Sequence, residues 1–293
     1  MYIYRISQEH RDIAKAEIET LIGPVVSLDD NLFLVESYGP KAKKLAYTKQ
    51  VYKILASGTD TQELLSSPIE DNYRFDAIGE ETLPLADRLY ALHQKKVSLE
   101  QYDHHYVLFS LETTYFTEEI YVNTDTGQER RAHQRAYNHP TSMHPLLAKA
   151  MINLSGATSF IDPFCGAGGI LIEGAKMGYE VLGADISEEM IERAEQNLKA
   201  LGYIAQLSVQ DALTIESEYE AVVTDLPYGK NSVLESKELY DQFLEHAKNI
   251  TSTLVLGSQQ GSLTDLHGWT EAYRFPVYVH KSLTREILVL KKG

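Results

Sequence analysis

The sequence has one cysteine, Cys165, among its 293 residues. A single thiol excludes an intramolecular disulfide and a multi-cysteine zinc site, and it fits a reducing compartment. Long apolar runs are missing too. None approaches the roughly 18–20 residues of a membrane span, and no targeting pattern precedes the strand-like start Met1-Tyr2-Ile3-Tyr4-Arg5. A cytoplasmic protein without a membrane partner is the expectation. Positive charge is in deficit: 27 Lys and Arg face 42 Asp and Glu, a formal net charge of −15. That balance argues against a nucleic-acid partner unless the charge is clustered, because phosphate contact needs local positive charge. No repeat or low-complexity tract stands out. Apolar residues, by contrast, reach 43%. At about 100–200 residues per domain, the length predicts two domains or three small ones.

The organisation changes near residue 145. Residues 1–57 read as strand, helix, hairpin and helix. The first helix spans Glu9–Ile22 and stops at Gly23-Pro24; the second spans Lys41–Leu55. Residues 58–125 read as a second small α+β unit, with strands at Tyr73–Ile78, Lys96–Leu99, Tyr106–Glu112 and Glu119–Asn123. Residues 126–145 are polar and basic, carry Pro140 and Pro145, and read as a linker. From 146 to 293 strands alternate with helices and a hairpin closes the chain. That order predicts a doubly wound, mostly parallel, Rossmann-like sheet with an antiparallel hairpin at one edge.

Four strand ends carry the chemistry. Asp162-Pro163-Phe164-Cys165-Gly166-Ala167-Gly168-Gly169 joins a strand to a helix, where such folds bind adenosine-bearing ligands. Glycines there let the backbone approach a ligand. A nicotinamide fingerprint would place glycine at 171, where this chain has Leu171. Asp162 would repel a pyrophosphate, yet it suits the ammonium and sulfonium of S-adenosylmethionine, which is therefore favoured over a dinucleotide. Asp185 ends the second strand, within reach of ribose hydroxyls, or else caps the next helix. Asp211 follows the third strand, where it can reach an adenine. Ile186 and Ala212, the residues after these two acids, complete a candidate cofactor set with Asp162, Phe164, Cys165, Gly166, Gly168 and Asp225. Cys165 itself reads as a small packed residue.

The fourth strand ends in Asp225-Leu226-Pro227-Tyr228. The residue before a proline is pushed out of the helical region, so a carbonyl at Leu226 or Pro227 can face the site. Together with Asp225 it can accept both hydrogens of a planar exocyclic amine. Tyr228 offers a face on which an extruded base can stack. A cysteine nucleophile for ring-carbon methylation is missing from this motif. His104-His105 lacks a clear third ligand, so no metal is expected.

These residues carry a resemblance. Asp162-Pro-Phe-Cys-Gly-Ala-Gly with Asp225-Leu-Pro-Tyr resembles the class I amino-methyltransferases that use S-adenosylmethionine. His139-Pro-Thr-Ser-Met-His-Pro-Leu-Leu-Ala-Lys-Ala-Met-Ile-Asn-Leu154 is similar to the stretch that joins a THUMP domain to its methyltransferase. His280-Lys-Ser-Leu-Thr-Arg-Glu-Ile287 resembles the closing hairpin of archaeal tRNA guanine-N2 methyltransferases acting at position 10. The resemblance implies an N-terminal ferredoxin-like unit with a THUMP domain that docks tRNA. It implies methylation of a guanine N2 amine; related eukaryotic enzymes use a small activating subunit, which makes one a candidate partner here, with the requirement for it left open. Leu226 stands where the family more often has proline, and the carbonyl role does not require one. Amino-methylation of DNA, rRNA or a protein amide stays open, as does a non-catalytic RNA-binding role with a vestigial cofactor pocket.

Neither half of the chain is basic overall, but basic residues cluster. Lys41, Lys44, Lys49 and Lys53, then Lys95 and Lys96, then Arg130, Arg131 and Arg135, and finally Lys281 with Arg285 are the candidate phosphate contacts.

Overall fold

The alternating start of the chain forms strand β1 (Tyr2–Ile6), with Ile3, Tyr4 and Ile6 buried. The computed structural model describes residues 1–137, 143–227, 233–281 and 283–293. Two units emerge: Met1–Lys43 with Tyr47–Thr124, and Lys44–Ala46 with Asp125–Gly293.

In the first unit α1 (Arg11–Leu21) buries Ile13, Ala14, Ile18 and Leu21 at helical spacing. Next come β2 (Val25–Asp29) and β3 (Leu32–Val35). The helix expected over Lys41–Leu55 is overturned. Pro40–Lys44 is a short 3-10 turn and Thr48–Gly58 is strand β4. Thr48, Val51, Tyr52 and Ile54 suit a pleated surface, and the lysine spacing that suggested a helix says nothing about which neighbours are available for pairing. The unit is completed by α2 (Thr61–Leu65), β5 (Tyr73–Ile78), α3 (Thr82–His93), β6 (His104–Ser110) and β7 (Thr114–Val122). The strand expected at Lys96–Leu99 is reduced to a single bridge from Val97 to Tyr73.

All seven strands share one sheet, ordered β2-β3-β1-β4-β7-β6-β5. β4 is internal, paired with β1 and β7. Hence residues 1–57 and 58–125 contribute adjacent strands to the same sheet. β5 and β6 are parallel and flank α3 in the chain. Along β6 the faces alternate. Tyr106 and Leu108 join Leu64, Leu65, Leu85 and Leu89 of α2 and α3, whereas Val107 and Phe109 join Ile3, Leu32 and Tyr52.

In the second unit α4 (Pro145–Ser155) begins with proline in its first turn, is capped by the His144 ring accepting from Leu146 N, and ends at Gly156 with φ 75°. Then follow β8 (Ser159–Asp162), α5 (Gly169–Lys176), β9 (Glu180–Asp185), α6 (Glu188–Ala200), β10 (Gln206–Val209), β11 (Val222–Asp225), α7 (Val233–Ala247), β12 (Thr253–Gln259), β13 (Trp269–His280) and β14 (Leu283–Lys292). The sheet order is β10-β9-β8-β11-β12-β14-β13. Its first five strands are parallel, and β14 runs antiparallel to both β12 and β13. This is the expected doubly wound sheet with its closing hairpin. From β8 the chain runs outward through β9 and β10, then returns to β11 on the other side. Ligands bind beyond the carboxyl ends of the strands at such a reversal. The stretch 126–145, read as a linker, falls in this unit, and its described part holds two short 3-10 turns, Gln128–Arg130 and Ala132–Gln134.

Candidate active site

Parallel pairing aligns the carboxyl ends of β10, β9, β8 and β11 on one edge. The four acids read from the sequence stand there: Asp162 and Asp225 end β8 and β11, Asp185 ends β9, and Asp211 follows β10. Asp162 is 2% exposed. Its Oδ1 accepts from Thr224 Oγ1 at 2.6 Å and from Phe164 N at 3.2 Å. Burial first, and then the negative charges of Asp225 and Asp185, push the Asp162 carboxyl up to about 7, against those two hydrogen bonds. Such a cluster is stabilised by a cationic group among the carboxylates.

The glycine loop is tied to the second acid. Gly166 N donates to Asp185 Oδ2 and Ser187 N to Asp185 Oδ1, both at 2.9 Å. Asp185 thus shapes the loop with one oxygen and the start of α6 with the other, while Ser187 is the cap of α6. Gly166 has φ 49°, and a Cβ there would meet open space. Gly168 has φ 80°, and a Cβ there would come 3.2 Å from that of Ala194. Positive φ at both positions favours glycine. Cys165 is buried, and burial pushes its thiol far above the usual range, so it packs as a neutral residue. Phe164 sets its ring edge-on to Phe243 at 5.0 Å. Ile186 is 74% exposed directly after Asp185. Asp211 caps its own 3-10 turn through Leu213 N at 2.9 Å, and Ala212 is buried.

Asp225 ends β11, and its side chain reaches across β12 to β14. Its Oδ2 accepts from Arg285 Nη2 at 3.0 Å. The carboxylate crosses over Gly257, where any Cβ would overlap Asp225 Oδ1. Leu226 N donates to Gly257 O at 2.8 Å, and the Tyr240 hydroxyl donates to Pro227 O at 2.6 Å. Leu226 is buried and Pro227 exposed. Tyr228 lies outside the described residues.

The candidate phosphate contacts divide. Lys41, Lys49, Lys53 and Lys96 are exposed and Lys95 half-buried in the first unit; Lys281 is exposed in the second. Lys44 stacks its ammonium 3.9 Å from the Tyr179 ring centroid, and Arg131 Nη2 lies 3.1 Å from His144 Nε2. Three arginines correct the expected surface role, because they are buried. Arg130 is 2% exposed and forks onto Glu173 at 2.8 and 3.2 Å, with Asp125 at 2.8 Å and Glu129 as further partners. Arg285 is 5% exposed against Asp225, and Arg135 is 9% exposed. His104 and His105 each bond a β7 carboxylate, Glu118 and Glu119, at 2.7 and 3.2 Å.

Sequence reasoning missed Thr224, Tyr240, Gly257 and Asn197. Asn197 is 1% exposed and clamps the backbone of Tyr137, accepting from its N and donating to its O, both at 3.0 Å. It also donates to Ala167 O. An amide on the apolar stripe of α6, between Ala194 and Leu198, was the available signal.

Comparison with known proteins places the chain in a family. The family model for the UPF0020, RMKL-like, methyltransferase domain matches residues 132–282. A tRNA (guanine(10)-N2)-dimethyltransferase of Methanothermobacter thermautotrophicus is 35% identical over 187 residues, 58% of this chain and 55% of that protein. A protein of the same description from Methanocaldococcus jannaschii is 33% identical over 219 residues, 67% of this chain and 60% of its own length. The chain therefore spans a little over half the length of these curated relatives. Among solved structures, TrmN from Thermus thermophilus superposes with a TM-score of 0.55 at 16% identity, covering 100% of this chain and 99% of its own, which shows a shared fold. No helix among the described residues is long and apolar enough to cross a membrane.

Proposed function

The chain belongs to the RMKL-like methyltransferase family, and from that premise we propose that it transfers a methyl group from S-adenosylmethionine to the N2 amine of a guanine in tRNA. The observation that carries the reading is the meeting of Asp162, Asp185 and Asp225 at one sheet edge, with Asp162 raised to about 7. This is a setting for a cationic ligand. Asp162 and the Gly166–Gly168 loop would hold the methionine end, Asp185 the ribose, Ile186 one face of the adenine and Asp211 with Ala212 its edge. Bound there, the cofactor supplies an electrophilic methyl.

Asp225 accepts one amine hydrogen. Pro227 O already takes the Tyr240 hydroxyl, which leaves the Leu226 carbonyl for the second. Both bonds draw the nitrogen lone pair out of conjugation and turn it towards the methyl. The amine is neutral and the departing thioether is neutral, so attack needs no prior deprotonation. The proton passes afterwards to Asp225 or water. Arg285 holds one carboxylate oxygen at 3.0 Å and so fixes the direction of the other. Tyr228 stacks the extruded base. Positioning of this kind contributes much of the acceleration.

Exposed lysines of the first unit, Lys41, Lys49, Lys53 and Lys96, with Lys281, are the phosphate contacts in this reading, and the first unit is the tRNA-docking, THUMP-like part. The test is methylation of unmodified tRNA transcripts by the purified chain, read by nucleoside mass spectrometry and mapping. N2-methylguanosine or its dimethyl form at position 10 supports the reading, and methylation of another base or no methylation overturns it. Activity that appears only with a cell extract would point to the activating subunit.

Cofactor affinity should depend on pH. Asp162 is protonated below about 7 in the free chain, and a bound cation favours its ionised form. Affinity for S-adenosylmethionine therefore rises as pH goes from 6 to 8, with proton release on binding. Calorimetry in buffers of different ionisation enthalpy measures both, and a pH-independent affinity contradicts the role given to Asp162.

A further inference from the structure

Tyr240 stands on α7 with 2% of its surface exposed, packed in one cluster with Leu226, Phe243 and Leu244. Its ring would fill that space equally well without a hydroxyl. The hydroxyl reaches the turn after β11 and donates to Pro227 O at 2.6 Å. Pro227 is exposed, so water could serve its carbonyl as well, and a bond of that kind contributes little net stability. What it contributes is direction. The turn is held from two sides. Leu226 N donates to Gly257 O at 2.8 Å, a bond that a proline at 226 could not make. Pro227 O is held by Tyr240. The Leu226 carbonyl lies in the chain between these two anchors. The Pro227 ring fixes φ at about −65°, so a held Pro227 carbonyl restricts the Leu226–Pro227 peptide as well. α7 is itself a firm base: Trp269 Nε1 donates to Leu244 O at 2.9 Å, and the Phe243 ring meets Phe164 edge-on at 5.0 Å.

We propose that Tyr240 is a positioning residue for methyl transfer: by holding Pro227 O it keeps the Leu226 carbonyl aimed at the acceptor amine. The proposal rests on the amino-transfer reading above and adds a residue to it. Tyr240 acts through the turn and not on the reacting atoms. Leucine at 226 makes this aid necessary. A proline there would fix its own φ through its ring, whereas Leu226 keeps a rotatable φ and depends on hydrogen bonds on both sides. The amine lone pair must be aligned with the methyl while both its hydrogens are bonded, and an acceptor displaced by about 1 Å can cost on the order of a hundredfold in rate. Because Tyr240 occupies the Pro227 oxygen, it also decides that Leu226 O, and not Pro227 O, takes the second hydrogen.

The test separates rate from binding and from stability. Wild type, Tyr240→Phe and Leu244→Val are compared, each assayed below its melting temperature. Leu244→Val loosens the packing of the same helix and leaves the bond to Pro227 O in place. Tyr240→Phe removes only the hydroxyl and leaves an exposed carbonyl that water can serve, so it should fold. Its single-turnover rate and kcat should fall about ten- to hundredfold, while KM for tRNA and Kd for S-adenosylhomocysteine stay within about twofold of wild type. Leu244→Val should melt at a lower temperature yet keep the wild-type rate. Equal rates for wild type and Tyr240→Phe overturn the proposal, as does a Tyr240→Phe protein that does not fold, which would make the hydroxyl a structural strut. A matching fall in both variants overturns it in favour of helix packing. Weaker cofactor or tRNA binding at unchanged kcat overturns it in favour of a binding role. A wild type that methylates no guanine amine removes the reaction reading itself, an outcome distinct from all of these.

Discussion

Replacing Asp225 with alanine should cut methyl transfer by about 10²–10⁴-fold, the range found when a positioned catalytic group is removed. Binding of S-adenosylhomocysteine should change little, because Asp162, Asp185 and Asp211 remain. The reason is local. Asp225 ends β11 at the reversal of the sheet, and its carboxylate has room over Gly257, which has no side chain. Asparagine keeps one acceptor for the amine but gives up the charge that meets Arg285 at 3.0 Å. Asp225→Asn should therefore fall between wild type and alanine. Alanine also removes the ion pair to a 5% exposed arginine, so a lower Tm will accompany it, and turnover must be measured on folded protein. A tritiated-methyl assay decides the matter: wild-type turnover by the alanine variant would sink the role assigned to Asp225.

The second large effect concerns stability. Glu173→Ala should destabilise the second unit by about 3–5 kcal/mol, the cost of removing one partner from a buried ion pair. Glu173 is 0% exposed and Arg130 2%, so solvent does little to screen them. Burial pushes the Glu173 carboxyl up, and the Arg130 guanidinium offsets part of that. Without Glu173 the guanidinium keeps Asp125 at 2.8 Å and Glu129, which places the loss towards the lower end. The fall in Tm should be on the order of 10 °C. Asp125 adds a pH signature. Burial acts against its carboxylate, but hydrogen bonds from Lys176 and Arg130 outweigh it and hold its pKa well below the ordinary 3.8. Its contribution is complete above that unfolded-state value and is lost as pH falls through the lower folded one. Thermal melts of wild type and Glu173→Ala at neutral pH measure the main effect, and a change of only a degree or two would contradict the buried network.

Much of the second unit was legible because its signals are local. Short apolar runs alternate with amphipathic stretches, Pro145 opens a helix, Gly156 closes it, and Asp162, Asp185 and Asp225 stand at strand ends. The first unit was less legible. Thr48–Gly58 contains both apolar periodicity and spaced lysines, and only its pairing with β1 and β7 makes it a strand. A short segment of mixed pattern takes the conformation its neighbours permit, which is a tertiary effect.

The charges divide in the same way. By itself the sequence determined which acids belong to the sheet edge, since strand, acid and glycine follow one another along the chain. Which arginines belong to the surface was decided only by tertiary structure. Arg130 meets Glu173 across 43 residues and Arg285 meets Asp225 across 60. Arg135 is buried over Gly169, with two donors unmatched among the described residues. A guanidinium carries the same charge in the sequence whether it faces water or a carboxylate. Only the fold sets its distance to a partner and its access to solvent, and those two quantities decide its role.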